Sequence, residues 1–227
     1  MSATSFIVCE LCSVLLLFLS LTSHQCYVSA EKSPLILVPG DGGSQGYCKP
    51  KGKSDYFLLW VNLRYFLTPW SLFEYFGLNF DPASGEISDS DACDVVFPGW
   101  GDTWSIENLD TSKHAGTTYF GYLISYLRRD PYYVPNRTIR GTPFDFRRAP
   151  NQNPTFVQQL KSLIEETYVN TGNRRVVVLA HSLGCLYALS FLDKMSATWK
   201  KTFIGAFLFV SGPYGGSVKA MKIEASG

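Results

Sequence analysis

The stretch Arg175–Met195, RVVVLAHSLGCLYALSFLDKM, decides the fold. Val176-Val177-Val178-Leu179 is apolar at every position, which suits a strand buried on both faces rather than one wetted on alternate residues. From about Gly184 to Met195 the chain reads as a helix. Between them lies Ala180-His181-Ser182-Leu183-Gly184. A serine on a sharp strand-to-helix turn is lifted above the end of a sheet, and the two backbones approach so closely there that the flanking residues must be small. Ala180 and Gly184 are small, so Ser182 is the expected nucleophile; the plainer alternative is an ordinary strand-to-helix turn.

The one literal G-x-S-x-G is elsewhere, at Gly42–Gly46. It follows a strand, but Tyr47 to Pro50 and Gly52 read as loop rather than helix, so Ser44 fails the geometry the motif needs. An elbow serine also needs backbone N–H donors for an oxyanion. Leu183 supplies one, and the glycine-rich loop Pro39–Gly43 after the strand Leu35–Val38 is the expected source of the second. A third apolar run spans Phe203 to Val210. A helix is expected over Pro154–Asn170, with Phe156, Leu160, Leu163, Ile164 and Tyr168 at helical spacing and the proline in the first turn. Buried strands alternating with helices predict an α/β protein with a mostly parallel sheet.

Composition narrows the possibilities. The 227 residues are 46% hydrophobic and 15% aromatic, with 20 Lys plus Arg against 19 Asp plus Glu. Such a chain has enough apolar mass for one domain and is not disordered. A net charge of +1 with no basic block argues against nucleic acid as a partner. The cysteines and histidines are too scattered for metal-ligand spacing, and neither a metal nor another cofactor is expected.

Residues 1–30 read as a secretory signal: an apolar run from Val14 to Leu21, then small residues before Glu31. The alternative is a signal anchor, although spanning a bilayer takes about 20 predominantly apolar residues. Cleavage would leave 31–227 with Cys48, Cys93 and Cys185, hence one pair and one unpaired thiol in an oxidising compartment. Asn136-Arg137-Thr138 is an N-glycosylation acceptor. Tyr56 to Phe80 stands apart: ten residues are aromatic and only Arg64 and Glu74 carry charge. It reads equally as a helical hairpin packed on the core and bent at Pro69, or as a surface segment whose aromatics enter a lipid interface.

The chain resembles the lecithin:cholesterol acyltransferase family in LILVPGDGGSQ (35–45), YFLLWVNL (56–63) and VVFPGWGDTWSIENLD (95–110). The same holds for RGTPFDFRRAPN (140–151), VVVLAHSLGCLYALSFL (176–192) and FLFVSGPYGGSVK (207–219). Ala180 is like the lysosomal phospholipase A2 branch of that family. The resemblance implies an α/β-hydrolase fold with a lipid-docking subdomain, placed at 47–81, in which Tyr56, Phe57, Trp60 and Phe66 contact membrane. It implies acyl transfer from a glycerophospholipid to Ser182, then to water or a lipid alcohol, at a phospholipid membrane or lipoprotein surface. Asp41 and Leu183 would give the oxyanion N–H groups.

Cys48 matches the first cysteine of the family's subdomain disulfide. The second would fall near Ser71 to Phe73, where there is none, leaving Cys48 unpaired or paired with Cys93. Family members carry the triad acid and histidine well beyond the serine. Here no His follows Ser182, and Asp193 lies on the elbow's own helix. His114 precedes the serine and His181 cannot reach back to its neighbour. The expectation is a C-terminally truncated chain holding the nucleophile without its triad Asp and His. The alternatives are a non-catalytic secreted lipid-binding relative and a peptide or small-ester hydrolase of the same fold.

Overall fold

The computed structural model describes residues 31–66, 68–112, 115–218 and 220–222. The expected signal at 1–30 and His114 lie outside these. Four strands, β1 (Leu35–Val38), β7 (Ile139–Gly141), β8 (Val176–His181) and β9 (Ile204–Val210), form an all-parallel sheet in the order β7-β1-β8-β9. Leu37 of β1 is paired with Leu179 on one side and Gly141 on the other.

The unbroken apolarity of β1 has a direct cause, since helices cover both faces of the sheet there, while β8 is buried on one face and half-buried on the other. Alternate residues Ile36, Val38, Val176 and Val178 pack with Phe156 and Leu160 of α5 (Pro154–Asn170) and with Tyr187 and Phe191 of α6 (Leu183–Lys194). The intervening residues Leu35, Leu37 and Ile139 pack with Ile106 of α3 (Trp104–Glu107) and Ile124 of α4 (Gly121–Leu127). Each such side chain contributes about 1.5–3 kcal/mol by leaving water. A one-residue slip of β1 would exchange the two sets between faces. At the sheet edge, β9 starts at Ile204 because Phe203 closes α7 (Ala197–Phe203). Its Leu208, Phe209 and Val210 are exposed.

The segment after Ser44 departs from the loop expected there. Gly46–Pro50 is strand β2, between β3 (Phe57–Trp60) and β6 (Cys93–Val96) in an antiparallel sheet of order β3-β2-β6. Pro50 is tolerated because it closes the strand, where its missing N–H is not needed. The aromatic stretch is likewise no simple helical hairpin. It runs from β3 through two short helices, α1 (Leu63–Phe66) and α2 (Pro69–Phe76), to β4 (Leu78–Phe80), which pairs with β5 (Ile87–Asp89). Pro69 begins a helix rather than bending one. The small sheet therefore draws on residues up to Val96, beyond 47–81.

Cys48 of β2 and Cys93 of β6 are joined by a disulfide with Cα atoms 5.7 Å apart, both buried beside Leu59 and Val95. The bond closes 45 residues of chain. In the chain-entropy account such a closure stabilises by about 4 kcal/mol. Replacing both cysteines by Ala should lower the unfolding free energy from urea titration by that amount; a change below about 1 kcal/mol would contradict this account.

Arg147 ties the small sheet's region to the core. Its guanidinium meets Asp89 at 2.7 Å and Asp145 at 2.8 Å, donates to Phe76 O at 3.2 Å, and lies over the rings of Phe76 and Phe97. Burial works against its charge, but the Asp145 and Asp89 carboxylates outweigh that, so its pKa is raised. Removing one partner of so buried an ion group strands the others, which makes this junction intolerant of neutral replacements.

Candidate active site

β8 ends at His181 and α6 begins at Leu183, leaving Ser182 alone at the turn with φ 52° and ψ −125°. A non-glycine residue held there stores on the order of 1–3 kcal/mol of backbone strain, which the surroundings must hold in place. They do so on both sides: Ser182 N–H donates to Val210 O at 2.9 Å, and Cys185 N–H donates to Ser182 O at 2.9 Å. The serine is partly exposed. Leu183 opens the helix, so its N–H has no acceptor within the helix.

The turn is closely packed against the end of β1. A Cβ on Gly184 would stand 2.2 Å from Pro39 O and 2.8 Å from Val38 O. One on Gly40 would stand 2.6 Å from Ser182 Cβ. The loop after β1 thus lies directly beside the serine. It is a turn closed by Gly43 N–H to Gly40 O at 3.0 Å, with Gly42 at φ 65°, a conformation that the third position of a type II turn requires. Asp41 sits at its exposed rim. Desolvation raises the Asp41 carboxyl pKa, and the Gly42 N–H pulls it the other way.

Two side chains grip this loop, and neither was singled out for that role from sequence. Trp60 Nε1 donates to Gly42 O at 2.9 Å, with its ring stacked on Phe76. Tyr119 Oη accepts from Gly40 N–H at 2.8 Å and lies 2.5 Å from His181 Nδ1. Burial pushes the Tyr119 phenol up to about 12 and the His181 imidazole down. No local signal marks either residue: each reaches the loop from a distant part of the chain.

Ser44 is fully buried, and its Oγ accepts from Phe144 N–H at 3.3 Å, a packing role. Cys185 is a buried, unbridged cysteine whose Sγ lies 3.2 Å from Ala180 O. Asn136 is exposed at φ 58°. Of the aromatics expected at a membrane, Tyr56 is exposed, while Phe57 packs on Tyr65 and Tyr75 and Trp60 turns inward to the loop. The Phe66 side chain lies outside the described residues. More exposed than Tyr56 are Trp70 at 85% and Phe73 at 68%, three residues apart on α2 and so on one face. Among the described residues no group of His, Cys, Asp and Glu could hold a metal ion, and no helix is long and apolar enough to cross a membrane.

A parallel sheet with a serine held at positive φ on the turn above it is the architecture of an α/β-hydrolase. The chain belongs to the lecithin:cholesterol acyltransferase family, which it matches over residues 56–227. It is 35% identical over 226 residues to the lysosomal phospholipase A and acyltransferase of Canis lupus familiaris, across 93% of this chain and 54% of that protein. With the Homo sapiens protein of the same name it shares 35% over 228 residues, 94% and 54% of the two chains. The phosphatidylcholine-sterol acyltransferase of Rattus norvegicus is 34% identical over 220 residues, 91% and 49%. The chain spans about half the length of these curated relatives.

Proposed function

We propose that the whole protein is a phospholipase A and O-acyltransferase that works through an acyl-serine at Ser182. The observation that carries this reading is the strained Ser182 backbone at the β8–α6 turn, set against the glycine loop after β1. Ser182 Oγ attacks an acyl ester of a glycerophospholipid while a base takes its proton. The C–O bond to glycerol breaks, and the departing oxygen is protonated as lysophospholipid leaves. Water or a lipid alcohol then attacks the acyl-serine and restores the hydroxyl. The N–H groups of Leu183 and Asp41 stabilise the oxyanion of each tetrahedral step. His181 is engaged with Tyr119, and no His follows Ser182 in this sequence, so the base is not assigned to a residue described above.

Lipid approach is assigned to the region around the small sheet, with Trp70 and Phe73 entering the interface beside Tyr56. Apolar side chains of this size gain about 1.5–3 kcal/mol each on leaving water, or roughly tenfold or more in partition. Trp70→Ser with Phe73→Ser should therefore cut binding to phosphatidylcholine vesicles at least tenfold in a flotation assay. Unchanged binding would remove α2 from the interface. The word lysosomal in the relatives' name, the signal expected at 1–30 and the exposed Asn136 support passage through the secretory pathway, to the lysosome or the extracellular fluid, with a glycan on Asn136.

The deciding experiment presents the natural full-length protein with phosphatidylcholine vesicles containing ceramide or cholesterol, and follows lysophosphatidylcholine, fatty acid and acylated alcohol by mass spectrometry. Acyl release and transfer are expected. Vesicle binding with no acyl release would favour the non-catalytic lipid-binding reading.

A further inference from the structure

Tyr119 lies just ahead of α4, its backbone N–H donating to Glu107 O at 2.9 Å, and its ring meets those of Phe120 and His181 edge-on. Its hydroxyl end occupies space that two glycines leave open. A Cβ on Gly40 would come 3.0 Å from Tyr119 Oη, and one on Gly43 would come 2.8 Å from Tyr119 Cζ. In that seat Oη accepts the Gly40 N–H at 2.8 Å. Its own hydrogen is free to be donated to His181 Nδ1, 2.5 Å away, in the tautomer of neutral His181 that carries its ring proton on Nε2. Burial, which lowers the His181 pKa and raises that of Tyr119, favours these neutral forms.

The link has a consequence for the loop. The Gly40 N–H is committed to Tyr119, and the Gly42 carbonyl is committed to Trp60 on the other side. Asp41 is thus held between two fixed neighbours, next to Ser182. We propose that Tyr119 is a positioning residue for acyl transfer: its hydroxyl joins Gly40 N–H to His181 Nδ1 and so holds the oxyanion loop in register with the elbow serine. This rests on the reading of Ser182 given above. Tyr119 touches neither the serine oxygen nor the substrate in this role. Its effect is on where the Asp41 N–H points, and small misplacements of such donors are costly in the transition state.

The test is steady-state kinetics of the natural full-length protein on phosphatidylcholine vesicles, with thermal unfolding of each variant. Tyr119→Phe keeps the ring and removes the link; kcat should fall about 10- to 100-fold with KM within roughly twofold. His181→Gln retains an oxygen able to accept from Tyr119 and should keep kcat within about fivefold, whereas His181→Leu should match Tyr119→Phe. If Tyr119→Phe does not fold, the His181 pair reads the same link from its other end. Ser182→Ala is run alongside. An inactive Ser182→Ala with Tyr119→Phe and His181→Leu both at the wild-type kcat overturns the positioning role alone. A loss that follows the melting temperature, or that falls equally on His181→Gln and His181→Leu, also overturns it. An active Ser182→Ala removes the reading of the serine and the positioning role with it.

Discussion

Ser182→Ala in the natural full-length protein should lower acyl release from phosphatidylcholine by on the order of 10⁶-fold, the loss found when a hydrolase triad gives up its nucleophile. The loss comes from one oxygen atom, because the backbone that aims it is already strained into place by β8, α6 and β9. The fold should be unaffected. Alanine is no worse than serine at φ 52°, and the Oγ has no hydrogen bond that anchors a neighbour among those described. The check is the initial rate of fatty-acid release, with the thermal midpoint as a control. A residual rate within tenfold of the wild type would mean that the acyl group is carried elsewhere.

Gly184→Ala should be nearly as severe, but for stability. The added methyl would sit 2.2 Å from Pro39 O and 2.8 Å from Val38 O, both backbone atoms of the central strand and its exit. No flexible side chain is available to yield, so α6 must lift away from β1. That movement would open the contacts of Cys185, Ala188 and Phe191 in the larger core cluster. More than about 5 kcal/mol is expected, at the far end of single replacements. Urea unfolding of the variant should show either a collapsed midpoint or no folded baseline. Wild-type stability would mean that helix and strand are farther apart than described.

The parts legible in the sequence share one physical property. Strand β1, buried at all four residues, and β8, buried at alternate ones and half-buried between, announce themselves by unbroken apolarity, and α5 spans Pro154–Asn170 as its spacing and first-turn proline predict. The elbow was legible because three local constraints coincide at Ala180–Gly184 within a few residues. Illegible features depend on partners far along the chain. Gly46–Pro50 becomes a strand only because β3 and β6 flank it, and a stretch reading GYCKP carries no pattern that says so. Trp60 sits in an aromatic run that suits lipid contact, yet one hydrogen bond to Gly42 O turns it inward. Tyr119 has no motif at all, and its role exists only once two glycines and a histidine close around its hydroxyl.

Gly40 and Tyr119 are 79 residues apart, and Tyr119 and His181 are 62 apart, so the centre is stitched from three remote passages of the chain. Contacts of this kind reward the chain only after loop-closure entropy has been paid, which slows their formation. Helices α5 and α6 can gather locally, whereas the setting of Ser182 needs β1, β8 and the Tyr119 passage in place together. A nascent or partly refolded chain would thus show much of its secondary structure before the Ser182 turn and the glycine loop beside it are assembled.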